Sequence, residues 1–116
     1  GKIIRYEVKN DSEGILQDVH WAGGMFGYFP TYTLGNLHAA AFLKKMTSDL
    51  GGRDKLDEIL RSGNWSAITS WQDENIWSRG GIYTPSDLVR RVTGKSLDAA
   101  PFKEYLIDKY KRIYRF

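Results

Sequence analysis

"TLGNLHAAAFLKKMTSDLGG", residues 33–52, is the stretch that decides the fold. Leu34, Leu37, His38, Ala41, Phe42 and Met46 recur three or four residues apart. That period marks one face of an α-helix, whereas a half-buried strand alternates at every second residue. The glycine pair at 51–52 ends the pattern, as glycine does at helix ends.

The helical period continues toward the C-terminus. "RDKLDEILRSG" (53–63) sets Leu56, Ile59 and Leu60 on one face and stops at Gly63. Ser66 can cap a further helix, "AITSWQDENIWSRGG", that ends at Gly80–Gly81. In "TPSDL" (84–88), Thr84 caps, Pro85 takes the first helical position, and Asp87 falls where a capping box places its acid. That helix ends at Gly94. A last helix starts near Pro101 and carries Phe102, Tyr105, Leu106, Tyr110 and Ile113 as an amphipathic stripe. The expected fold class is all-α, with four or five helices in a single domain over residues 1–116.

The N-terminal third reads differently. "IIRYEV" (3–8) fits either a strand or a helix end, and "NDSEG" (10–14) is turn chemistry. "GILQDVHWAGGMFGYFPTY" (14–32) has glycines at 23, 24 and 27 in its middle, then Pro30. It cannot run as one regular helix through the proline, so an irregular aromatic and glycine-rich loop or a short hairpin is expected.

Composition narrows the function classes. The chain has 116 residues, enough for one modest core. There are no cysteines, which excludes a disulfide scaffold, a thiolate metal site and a cysteine nucleophile. The net charge is only +3, and the main cationic cluster, "KYKRIYR" (109–115), alternates with apolar residues as the wet side of a helix does. No targeting segment or long apolar run is evident, so a cytoplasmic chain without a membrane partner is expected. The aromatic share of 14% is high and suggests either a ring-rich core or a binding face. Rings in "FGYFPTY" could stack on bases, but that loop has no Lys or Arg to hold phosphates, which argues against nucleic acid. Trp65, Trp71 and Trp77 stand six apart, a spacing that keeps no single helical face. They read as core and interface filler.

The candidate chemistry centres on the two histidines. Neither belongs to an HExxH pair, and His38 is followed by "AAAF", so no metal ligands are expected in this chain. His38 reads as packed on a helix face. His20 has Gln17 and Asp18 close by and tyrosines after it. A carboxylate can orient an imidazole, and an imidazole with a tyrosine hydroxyl can stabilise a developing oxyanion. The same residues also fit an ordinary buried His–Asp pair. No nucleophile elbow or phosphate-binding loop is present.

"GILQDVHW" (14–21) fits a G-x-x-Q-D-x-H-W motif and resembles that of the carboxypeptidase Taq family of zinc metallocarboxypeptidases. "FGYFPTYTLGN" (26–36), "IRYEV" (4–8) and the tail "TGKSLDAAPFKEYLIDKYKRIYRF" (93–116) are similar to further segments of that family. The resemblance implies a largely helical, usually homodimeric enzyme with a gluxincin-type zinc centre, releasing C-terminal residues from peptides. It implies that His20 faces the substrate and that Tyr28, or second Tyr32, helps hold the oxyanion. Gln17 and Asp18 would fix the histidine, with Trp21 packed beneath them.

Two departures and a smaller third accompany the resemblance. The family's HExxH and downstream glutamate are missing, as are its H-P-F, D-x-R-x-T and I-R-x-x-A-D motifs. The chain is therefore similar to the C-terminal part of such an enzyme, lacks its zinc ligands, and is expected to be inactive alone. Only "KNDSE" separates the IRYE and G-x-x-Q-D segments, where the family has a further helical stretch. Trp77 also stands where the family often has a histidine. The partners implied are a peptide C-terminus and the remainder of a catalytic domain. A non-catalytic helical interaction module is the alternative.

Overall fold

A computed structural model describes residues 7–115 of the chain. Residues 3–6, on which the strand-or-helix reading of "IIRYEV" chiefly rests, lie outside the described residues, and Glu7 and Val8 are irregular. The fold is all-α. Its helices are α1 (Val19–Ala22), α2 (Pro30–Asp49), α3 (Arg53–Ser62), α4 (Ser66–Asn75), α5 (Pro85–Thr93) and α6 (Ala100–Tyr114). Short 3-10 turns occupy Asp11–Glu13, Ile15–Gln17 and Trp77–Arg79. No strand occurs among the described residues, so the aromatic stretch is no hairpin: it holds a 3-10 turn, α1 and an irregular segment, 23–29, that leads into α2. The chain divides into two compact units, Gly1–Leu34 and Gly35–Phe116.

The second unit has a core assembled from four helices. Met46 of α2, Leu56 of α3, Trp71 of α4 and Val92 of α5 form one buried cluster. Phe42, Leu43, Ile68 and Leu88 pack around it. Val89 is wholly buried and Leu56 is 3% exposed. Burial of each such side chain contributes roughly 1.5–3 kcal/mol. Trp71 needs a partner for its ring N–H, and donates it to Asp49 Oδ2 at 2.9 Å. Lys45 binds the other oxygen of that carboxylate. The lysine hydrogen bond, and then the indole one, hold the Asp49 carboxyl below its ordinary range. Helix α6 is tethered by an ion pair between Lys44 and Glu104.

Several element ends differ from the sequence reading. Helix α2 starts at Pro30 rather than Thr33, because proline is suited to the first helical turn, where its missing N–H costs nothing. Ser66 is the first residue of α4, not its cap; Asn64 Oδ1 accepts the Ser66 N–H at 3.2 Å. Helix α4 stops at Asn75, five residues before the expected glycine. There the Asn75 amide donates to the Trp71 carbonyl at 2.8 Å and competes with the backbone ladder. Of the three spaced tryptophans only Trp71 is core; Trp65 and Trp77 are more than half exposed. A step of six residues turns about 240° around a helix of 3.6 residues per turn, so a shared buried face was impossible.

Helix α5 keeps its expected bounds. The Asp87 N–H donates to Thr84 Oγ1 at 3.2 Å, and the threonine hydroxyl donates to Asp87 Oδ2 at 2.8 Å. Asp87 thus accepts a hydrogen bond from the cap's hydroxyl; the longer Glu of a full capping box reaches back to the cap's backbone N–H instead. Gly94 closes the helix at φ +75°, a left-handed conformation that costs glycine nothing. Among the described residues no helix is long and apolar enough to cross a membrane.

Candidate functional site

The candidate site lies in the first unit. Its foundation is two consecutive 3-10 turns that meet at Gly14. A Cβ at this position would stand 2.6 Å from Val8 Cγ1, so glycine permits the close approach. The turns deliver Asp18 to the start of α1 as its cap.

Asp18 holds His20 twice. Its Oδ1 accepts the His20 backbone N–H at 2.9 Å, capping α1, and lies 2.7 Å from His20 Nδ1. The backbone hydrogen bond is the main cause that keeps the Asp18 carboxyl below its ordinary range; desolvation opposes it, and the imidazole contact adds a lesser lowering. A carboxylate at Nδ1 fixes an N–H there. Nε2 then carries the variable proton: a lone pair in neutral imidazole, a donor in imidazolium.

Three rings surround that imidazole, which is 8% exposed. The centroids of Tyr28, Phe29 and Tyr32 stand 5.3, 5.3 and 5.6 Å from it. The start of α2 at Pro30 brings them together. Thr31 N–H donates to the Tyr28 carbonyl and Tyr32 N–H to the Phe29 carbonyl, folding residues 28–32 into a turn. The Tyr32 hydroxyl stands 3.5 Å from His20 Nε2, long for a direct hydrogen bond. Tyr28 meets His20 through its ring, and Tyr28 and Tyr32 pack edge to face at 5.8 Å. Outward, Tyr28, Phe29 and Tyr32 are each about half exposed.

His20, Asp18, Tyr28 and Tyr32 are thus brought together. Gln17 turns elsewhere, its Nε2 donating to the Ser12 carbonyl at 2.5 Å, which ties the two 3-10 turns to each other. Trp21 packs edge to face on Phe26 at 4.9 Å rather than beneath the histidine. Successive residues of a short helix point some 100° apart, which sends the indole away from its neighbour's imidazole. Phe29 was absent from the sequence candidates although it touches His20. The available signal was its place just before a helix-starting proline, three residues from Tyr32. The second histidine, His38, lies on α2 with its ring 6.0 Å from Phe42.

His20 Nδ1 is engaged by Asp18, and among the described residues no group of three or more His, Asp or Glu side chains could hold a metal.

Comparison with known proteins gives a consistent set of relatives. The family model described as carboxypeptidase Taq (M32) metallopeptidase matches residues 2–110. Thermostable carboxypeptidase 1 of Thermus thermophilus is 45% identical over 106 residues, covering 91% of this chain and 20% of the relative. Carboxypeptidase 1 of Bacillus subtilis is 42% identical over 106 residues, covering 91% of this chain and 21% of the relative. Among solved structures, metallocarboxypeptidase 1 of Trypanosoma cruzi superimposes with a TM-score of 0.78 at 42% identity, covering 92% of this chain and 21% of that one. The chain therefore spans about a fifth of the length of these relatives.

Proposed function

Because the chain belongs to the carboxypeptidase Taq (M32) metallopeptidase family, we propose that it supplies the substrate-side part of a metallocarboxypeptidase site, acting on peptide C-termini. The supporting observation is the convergence of His20 Nε2 and the Tyr32 hydroxyl, 3.5 Å apart, with Asp18 fixing the far side of the ring. Two donors at that spacing can both reach one oxygen atom at ordinary hydrogen-bond distance. A carbonyl oxygen taking on negative charge would accept from both, provided Nε2 carries its proton. Asp18 holds the ring so that Nε2 faces the Tyr32 hydroxyl. Tyr32 is the preferred second donor on this geometry. Tyr28, the first choice from sequence, becomes a wall of the ring cluster.

The zinc of the family would be held by residues outside this chain. The exposed apolar surface of the first unit supports a packing partner such as the rest of a catalytic domain. Val19 is 74% exposed, Phe26 68% and Phe29 58%. Large apolar side chains left this open are what a packing partner would cover. Dimeric assembly and cytoplasmic residence belong to the same proposal.

The test grafts residues 2–110 in place of the matching segment of the Bacillus subtilis relative and follows release of C-terminal residues from a peptide. In that chimera His20→Ala should lower kcat by about 10²–10³-fold with little change in KM. Tyr32→Phe should cost more than Tyr28→Phe. The chain alone should retain no metal after dialysis and hydrolyse nothing. Turnover by the isolated chain, or unchanged kcat in the His20→Ala chimera, would defeat the proposal; the latter with weakened partner binding would favour the interaction module.

A further inference from the structure

The second unit contains an open cleft of about 380 Å³ lined by Asn75, Arg79, Tyr83, Leu88, Arg91 and Val92. Its volume falls in the lower part of the range of small-ligand sites, roughly 300–1,000 Å³. Two of its six lining residues are arginines and none is acidic. Every ion pair found among the described residues involves other side chains, so neither guanidinium is neutralised by a carboxylate.

Local structure holds these groups in place. Arg79 ends the 3-10 turn after α4, where its N–H donates to Ile76 and its carbonyl accepts from Ile82. Arg91, on α5, lies over the Tyr83 ring with its guanidinium carbon 4.5 Å from the centroid. Stacking of this kind fixes a planar guanidinium by its face and leaves its N–H edge free for an acceptor. The Asn75 side chain spends one N–H on the Trp71 carbonyl and keeps its oxygen and a second N–H. Leu88 and Val92, of which Val92 is buried at the edge of the core, give the cleft an apolar floor.

We propose that this cleft is a binding site for a small organic carboxylate with an apolar body. The carboxylate would meet the N–H edges of Arg79 and Arg91, a pairing that planar guanidinium makes bidentately. The apolar part would lie on Tyr83, Leu88 and Val92. Phosphate shares the oxyanion chemistry but has nothing to place on the apolar floor. The cleft shares no residue with the His20 cluster.

The test is a titration of the full chain, followed by amide NMR shifts, with three probes. 3-Phenylpropanoate carries both features, inorganic phosphate only the charge, and 3-phenylpropanamide only the apolar body. Saturable shifts at residues 75–92 with 3-phenylpropanoate are expected, with apparent affinity at least tenfold above either other probe. Arg79→Gln and Arg91→Gln should each weaken 3-phenylpropanoate about tenfold, the loss of one charge-assisted contact. Both substitutions are at exposed positions, and a dispersed spectrum confirms that each variant is folded. Arg91→Lys should not restore binding, since an ammonium has no fork to stack and pair. Absence of shifts up to the solubility limit, equal binding of the amide, or tighter binding of phosphate would each overturn the proposal.

Discussion

Asp18 and His20 carry a dependence on pH whose sign follows from the geometry. Two contacts from His20 favour the charged carboxylate, so the Asp18 pKa is lower in the folded chain than in the unfolded one. A depressed folded pKa contributes stability that is present above the unfolded value and lost as pH falls through the folded one. The aspartate contribution should therefore be intact at neutral pH, begin to decline near pH 4 and be gone only below the still lower folded pKa. Asp18→Asn removes the titration while keeping an oxygen at the same place. Urea unfolding of the two proteins should differ at neutral pH and converge in acid; parallel profiles down to pH 2 would show that the pair has no linkage. At this scale the sequence was informative in part. Proximity of Asp18 to His20 was legible because an N-cap aspartate two residues ahead can reach its neighbour's amide. The placement of Tyr28 and Tyr32 around the imidazole was not, since it depends on where α2 begins, and the proline moved that start three residues forward of the apolar pattern.

At the scale of elements, helices with explicit punctuation were readable and those ended by side-chain competition were not. Helix α5 has a threonine cap, a proline in its first turn and a terminal glycine, and all three act as the sequence suggests. Helix α4 has no such terminus; it stops at an asparagine that bonds back to its own backbone. The cap of α5 gives a direct expectation. Thr84→Ala removes the acceptor for the Asp87 N–H and the donor to its carboxylate. It should cost about 1 kcal/mol in denaturant unfolding, and Thr84→Ser should recover most of the loss. An alanine variant as stable as the parent would mean that solvent caps this end equally well.

For the molecule as a whole, stability concentrates in the second unit, where α2, α3, α4 and α5 each give one residue to a common cluster. Leu56 is its most buried aliphatic member. Leu56→Ala should lose about 2–5 kcal/mol, measured by the midpoint of urea unfolding. A loss under about 1 kcal/mol would mean that the neighbours collapse into the space. The all-α class was legible from periodicity, because a stripe three or four residues apart has only one regular solution. The extent of uncovered apolar surface was not. Tyr110, Ile113 and Tyr114 extend the α6 stripe yet are 43%, 56% and 67% exposed. A periodic pattern reports which face of a helix is apolar, and not what covers it.

The unequal fates of the tryptophans reach into spectroscopy. Trp71 is 7% exposed and bonded to a carboxylate, whereas Trp21, Trp65 and Trp77 are 40%, 57% and 54% exposed. Their emission is accordingly a sum of one shielded fluorophore and three that water-borne collisional quenchers can reach. The light surviving a saturating quencher comes from the core alone, so the chain carries its own optical probe of interior packing without any label.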